Sequence, residues 1–422
     1  MRKLSALLVL ALVAALFQSS FAAPRAVTMW TFAPNNLAEW SNQKADIEKN
    51  LGITLDITLV PQDAFVQKLQ AVQMSGTGVP DIIEWLIENN RVFAGDPKNA
   101  AVEDLTPYTS KSKVIPNVVA GRLAWTTVGG HTYGLPHDVH PVIMIYNDTI
   151  WSKAGVNVAK IVTWDQFFKD AAKLVKFEEK DGKPTHFALP SGNGGLGDTM
   201  WMIWQQTGAQ IFDKKGNPTF TSKDFVNFVK WWKAEYATGT FTAWDWGNFS
   251  SLLKAGTLCS YTSPDWWVSQ VDAAAKDGTY KFKVRSLPLY GKSTVPTSSW
   301  GGSFLAIPKG NKDVAGMYAI IEAMQYNKDN LLKRYPASGM LPPFASIWGD
   351  PSFDQADPRF GGMKTAQLQI AMAKKLPTIN TGDVFWDAVN EFGKNYPDIM
   401  SGKVTVEEGL KATQDAVAKM GK

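Results

Sequence analysis

The sequence predicts an α/β protein, and three observations carry that reading. After residue 22 the chain opens as strand, helix, strand. One of those strands alternates apolar and polar residues with period two. Later segments place apolar residues at helical spacing, with a capping signature ahead of one of them. Alternation of this kind argues for a mostly parallel sheet covered by helices.

The elements follow in order. Val27 to Trp30 forms the first strand, and 36–50 a helix. Ile53, Leu55, Ile57 and Leu59 alternate with Thr54, Asp56 and Thr58, giving a second strand. A helix runs through Phe65, Leu69 and Val72 and stops at Gly76 and Gly78. Pro80 to Trp85 is an apolar strand whose end carries a carboxylate and an indole. Ligands bind at the carboxyl ends of strands in such sheets, which marks Trp30, Glu84 and Trp85. Thr163-Trp164-Asp165-Gln166 is a capping box ahead of a stripe of Phe167, Phe168, Ala171 and Leu174. Phe225, Phe228, Val229 and Trp232 make a second stripe, and Val314, Met317, Tyr318 and Ile321 a third. Short strands are expected at His186 to Leu189 and Lys281 to Leu287.

The amino terminus reads as an export signal. Arg2 and Lys3 precede an apolar stretch from Leu4 to Phe17, and Ser20-Phe21-Ala22 is a small-x-small cleavage site, so 1–22 is expected to be removed. Residue 23 is alanine, which gives no cysteine for lipid attachment there. A lone cysteine, Cys259, leaves no internal disulfide; its apolar neighbours suggest a small buried residue. The formal charge of +4 falls to +2 without Arg2 and Lys3 and includes no basic run, which argues against nucleic acid. The length suits two domains.

Function is signalled most strongly by tryptophan. Of seventeen, Trp30, Trp85, Trp244, Trp246, Trp266, Trp267 and Trp300 fall where strand-like runs meet loops, beside Asn, Asp, Gly, Ser or Thr. The other ten, Trp231 and Trp386 among them, read as packing residues. An indole offers a flat apolar face and one N–H donor, which suits a pyranose with its apolar C–H face and polar rim. Neighbouring polar groups would complete the hydroxyl bonds. His137-Asp138-Val139-His140 follows the Pro136 turn, and Asp138 there could accept two hydroxyls while His137 or His140 reaches the ligand. The competing readings are a structural hydrogen-bond network and a metal site; the latter is disfavoured because structural sites need four ligands. Asp265-Trp266 places an acceptor beside a stacking face, and Trp300-Gly301-Gly302 lets ligand approach the backbone. Gly192 to Gly197 satisfies G-x-G-x-x-G but is followed by Asn217 where the nucleotide fingerprint wants an acid. A flexible turn fits better. Asn147-Asp148-Thr149 and Asn248-Phe249-Ser250 match the glycosylation pattern by chance. No catalytic or metal-binding residue and no cofactor is predicted. A glycoside hydrolase or lyase is the alternative, should Glu84, Asp138 and Asp265 converge. A binder of quaternary ammonium compounds is a third reading.

Tyr133-Gly134-Leu135-Pro136, with Val142 to Tyr146 and Asn147, begins a resemblance that extends over the chain after the signal. Pro80-Asp81-Ile82, Thr163 to Phe167, Trp300 to Pro308 and Ser338-Gly339-Met340-Leu341-Pro342 continue it in order. The chain resembles the sugar-binding branch of the extracellular solute-binding proteins of ABC importers, the maltose-binding-protein-like group. The resemblance implies a periplasmic-binding-protein fold: two α/β lobes joined by three crossing segments, with ligand in the cleft. It places 23–136 and 303–343 in lobe one, and 137–302 and 344–422 in lobe two. It also implies a periplasmic monomer that captures a mono- or oligosaccharide by lobe closure and delivers it to a permease in the inner membrane.

Overall fold

The computed structural model describes residues 24–420 apart from 88–92, 95–97, 99, 193, 196–198 and 381–383. The signal segment 1–22 lies outside the described residues, as do Asn193 and 196–198 of the glycine-rich run.

The chain opens with β1 (Arg25–Thr31), α1 (Pro34–Leu51), β2 (Ile53–Leu59), α2 (Gln62–Ser75) and β3 (Ile82–Leu86). The glycines that end the two helices, Gly52 and Gly76, adopt the left-handed conformation, where a side chain would be strained. Then come β4 (Leu135–Pro136), β5 (Ile143–Asn147), α3 (Trp164–Lys176), α4 (Lys223–Tyr236), β6 (Ser260–Ser263) and β7 (Phe282–Arg285). The chain continues with β8 (Ser303–Ala306), α5 (Val314–Gln325), α6 (Lys328–Ser338), α7 (Phe385–Ser401) and α8 (Val406–Met420). Shorter turns of helix and two further two-stranded ribbons fill the connections.

One sheet has the order β2-β1-β3-β8-β4, and a second the order β6-β5-β7. Within the two larger sheets the mostly parallel expectation holds for β1, β2 and β3, which pair in parallel; the short ribbon of Leu189–Pro190 with Phe241–Thr242 is parallel too. β8 runs antiparallel to both β3 and β4, and the second sheet is antiparallel throughout. Parallel neighbours need a crossover connection, and α1 and α2 supply one only between the first three strands.

Period two sorts the first sheet's side chains onto two faces. Val27 and Met29 join Trp40 and Ile47 of α1 and Met317 and Ile321 of α5. Trp30, on the other face, joins Phe65 and Leu69 of α2. α3 is capped by the Thr163 side chain, which accepts from the Gln166 N–H at 3.2 Å; Gln166 reaches back to the N–H of Val162 rather than of Thr163. Its predicted stripe is buried, as are those of α4 and α5, where only Val314 stays partly exposed. The expected strand at His186 contracts to Leu189–Pro190, with Phe187 bridging Leu258. Cys259 is buried, and burial pushes its thiol pKa up. Among the described residues no helix is long and apolar enough to cross a membrane.

The chain passes between the two sheets over 137–142 and again over 286–302. The two passes are zipped together: Pro141 bridges Ser299, and the Val142 N–H donates to the Ser298 carbonyl at 2.8 Å. A third strand of contact comes from the segment after α6, where the Leu341 carbonyl accepts from the Val139 N–H at 3.1 Å.

Candidate functional site

A cavity of about 270 Å³ opens where these passes meet the ends of β1 and β3. Phe32, Ala33, Asn35 and Asn36 line it from the turn into α1, Gln62 from α2 and Leu86 from β3. Asp138 and His140 come from the first pass, Trp300, Gly301 and Gly302 from the second, and Ser303 from β8. Trp246, Trp266, Met340 and Trp386 complete the wall.

The aromatic wall joins one edge-to-face pair to one tilted pair. Trp300 meets Trp386 with ring centroids 5.2 Å apart at 88°, and the Trp266 indole N–H donates to the Trp300 carbonyl at 3.0 Å. Trp246 is 60% exposed at the rim, 6.3 Å from Trp266. Both glycines between the indoles have positive φ, +76° at Gly301 and +116° at Gly302. A side chain at Gly301 would meet the Trp266 indole nitrogen, and one at Gly302 would fall on the Arg122 guanidinium and the Asp138 carboxylate.

Behind this wall lies a buried charge network. Arg122 reaches Asp138 Oδ1 at 3.1 Å and donates to the Asp138 and Gly301 carbonyls and to Ser299 Oγ. Asp138 also pairs with His140 Nε2 at 2.9 Å, and His140 Nδ1 pairs with Asp265. Asp265 in turn accepts the Leu341 N–H at 2.7 Å. His140 itself sits at φ +55°, uncommon for a residue with a side chain. The network thus ties both passes to the segment after α6.

Burial alone would lower the His140 pKa, but the Asp138 and Asp265 carboxylates outweigh it and push the imidazole up to about 9. Burial likewise opposes the Asp138 charge, and His140 and Arg122 overcome it, holding that carboxyl far below its ordinary value. The sign follows for each. The His140 contribution is full below its ordinary 6.5 and is lost as pH rises through about 9. The Asp138 contribution is full above 3.8 and is lost as pH falls through its lowered value. Stability is therefore expected to drop by about 3 kcal/mol between pH 6.5 and 9. His140→Gln should flatten most of that slope in urea unfolding, with His137, also raised, contributing the remainder. An unchanged slope in the variant would assign it to other groups.

The other predicted residues sit elsewhere. Glu84 is fully buried one layer back, accepting from Thr31 Oγ1, Asn36 Nδ2, Trp40 Nε1 and Ser303 Oγ at 2.7 to 2.9 Å. It positions Asn36 and Ser303 rather than facing the cavity. His137 is also buried, against Glu39 at 3.1 Å and Trp40, and Asp265 holds His140. Trp30 packs on Phe65 under Lys68. Trp244 and Trp267 pack with Phe249. Trp85 stacks on Phe65 and borders a neighbouring cavity. Gly194, from the glycine-rich run, abuts the Tyr396 ring, and its carbonyl accepts from the Trp201 indole at 2.8 Å. Trp386, read as a packing residue, is buried in the core and also lines the cavity. Sequence reasoning also missed Asn35, Asn36 and Gln62, whose one available signal was their place at helix starts just beyond strand ends.

A family model described as bacterial extracellular solute-binding protein matches residues 43–360. The arabinooligosaccharide-binding protein of Halalkalibacterium halodurans is 22% identical over 413 residues, covering 92% of this chain and 88% of that one. Its namesake in Bacillus subtilis is 26% identical over 338 residues, covering 76% and 74%. Among solved structures, the GacH receptor of Streptomyces glaucescens superposes with a TM-score of 0.75 at 18% identity, covering 94% of this chain and 98% of that one. The sugar-binding protein MalE of Xanthomonas citri gives 0.76 at 18%, covering 93% and 96%. These likenesses establish the two-lobed fold.

Proposed function

The chain belongs to the bacterial extracellular solute-binding proteins, and on that premise we propose that it captures a mono- or oligosaccharide in the cavity bordered by Trp246, Trp266, Trp300 and Trp386. The observation that carries this reading is the make-up of the wall: indole faces for an apolar ring, interleaved with Asn35, Asn36, Gln62 and exposed backbone for hydroxyls. Relatives named for arabinooligosaccharide binding and neighbours solved with acarbose or β-1,6-galactobiose support the same ligand class. Among the described residues the charged groups on the wall are Asp138 and His140, which neutralise each other and are further compensated by Arg122 and Asp265; this favours a neutral ligand.

Lobe one is assigned to 23–136 and 303–343, and lobe two to 137–302 and 344–422. The pairing of β8 with β3 and β4 fits that division. The protein works as a periplasmic monomer, freed of 1–22, and hands its sugar to the permease of an ABC importer. The hydrolase alternative needs two carboxyls facing one bond. Glu84 and Asp265 are themselves absent from the cavity lining and are committed to buried donors, so they do not provide that pair with Asp138.

A thermal-shift screen over arabino-, malto- and galacto-oligosaccharides, with betaine as competitor, tests the reading. A sugar at about 100 times its Kd should add about 2.7 kcal/mol; stabilisation by betaine and by no sugar would overturn it. Capture by closure further predicts a smaller radius of gyration by small-angle scattering at saturating sugar. An unchanged radius would argue for a pre-closed site.

A further inference from the structure

We infer that Glu84 is a positioning residue for ligand choice: it locks the Asn36 amide with its oxygen toward the cavity, so that the cleft selects a sugar carrying an unsubstituted hydroxyl at that point. The inference rests on the sugar reading above. Asn36 is 8% exposed and lines the cavity from the turn into α1. Its amide nitrogen donates to Glu84 Oε1 at 2.8 Å and to Ser303 Oγ at 3.3 Å, which uses both hydrogens. Four donors converge on the Glu84 carboxylate, from Thr31, Asn36, Trp40 and Ser303, so it offers the amide nothing but an acceptor. The Thr31 hydroxyl and the Trp40 indole hold the other carboxylate oxygen, which keeps the group from rotating away.

Asn36 Oδ1 has no partner among the described residues, yet it is not sealed in and stays open to the cavity that Asn36 lines. At this residue the wall presents a lone acceptor. Neighbouring polar groups are spent on the protein: the Trp266 indole N–H on the Trp300 carbonyl, both His140 nitrogens on Asp138 and Asp265, and the Ser303 N–H on Asp138. Asn35 and Gln62 are exposed, and their amides can turn to suit either kind of partner. A free hydroxyl donates to the Asn36 oxygen, whereas a methyl ether or an ester sets only lone pairs against it. An acidic substituent meets the same oxygen and gains no cation, since His140 and Arg122 already serve Asp138.

Calorimetric titration with glucose, galactose, arabinose, maltose and galactobiose, and with monodeoxy and monodeoxyfluoro analogues of each, tests this. Fluorine accepts weakly and cannot donate. At one position of the sugar that binds, both analogues should bind about tenfold or more weakly than the parent, with fluoro no better than deoxy. Glu84→Gln must keep its oxygen on Thr31 and Trp40, so its amide nitrogen faces Asn36 and turns that amide over. The fluoro analogue at the same position should then exceed the deoxy analogue by about fivefold or more. That ratio is read within one protein, so a general loss of stability or affinity does not move it. Asn36→Ala leaves Glu84 three of its four donors and should erase the penalty for deoxygenation there. Should Glu84→Gln fail to fold, Asn36→Ala decides alone. Absence of the fluoro–deoxy signature at every position, a ratio unchanged in Glu84→Gln, or a penalty that survives Asn36→Ala would each overturn the inference. Silence from all five parent sugars would instead strike the sugar reading itself, and this inference with it.

Discussion

Arg122→Ala is expected to destabilise the protein by about 3–5 kcal/mol, the scale for removing one partner of a buried ion pair. Arg122 is 1% exposed and holds four groups at once: the Asp138 carboxylate, the Asp138 and Gly301 carbonyls and Ser299 Oγ. Its loss strands two carbonyls and leaves Asp138 with His140 and the Ser303 N–H. Arg122→Lys should recover only part of the loss, because an ammonium cannot reach so many acceptors from one planar fork. Since the same carbonyls fix the Gly301-Gly302 turn, sugar affinity should fall with stability. Urea unfolding of both variants checks the first expectation. A cost below about 1 kcal/mol, the scale of an exposed pair, would mean that the network does not brace the passes between the lobes.

Trp300→Ala is expected to weaken sugar binding by about 2 kcal/mol or more, the usual scale for a hot-spot truncation. The indole is 2% exposed, presents part of its surface to the cavity and braces Trp386 edge-on. The Trp300 carbonyl that anchors Trp266 survives the substitution, so the loss isolates the ring. Trp231→Ala is the control. That indole lies half-buried on α4, packed on Tyr290 and bonded to Asp165 at 2.9 Å. It should lower stability without moving affinity. Calorimetry, with circular dichroism confirming the fold, distinguishes the two. Wild-type affinity in Trp300→Ala would displace the stacking site from this wall.

Much of the fold was legible because its signals are local. The period of Ile53 to Leu59, the Thr163 cap and the stripe on α3 are each set by residues within a few positions of one another. The antiparallel return of β8 was not legible, since nothing near Ser303 reveals which strand it will meet. The site divides in the same way. Asp138, His140, Trp246, Trp266, Trp300, Gly301 and Gly302 could be singled out by their neighbours, and they stand around one cavity. Glu84 had the same local marks, yet its carboxylate is consumed by Thr31, Asn36, Trp40 and Ser303, partners 44 to 219 positions away. Trp386 failed in the opposite sense. At a helix start with buried neighbours Phe385 and Ala388 it looks like core, and only residues distant in sequence make part of its surface a cavity wall.

The most direct test is a crystal structure grown with the sugar that most stabilises the protein. Intact sugar should lie between the lobes, with one ring against Trp300 and Trp266, its hydroxyls on Asn36 and Gln62, and Asp138 still paired with Arg122. Sugar bound outside this cavity, or cleaved product in its place, would contradict the account.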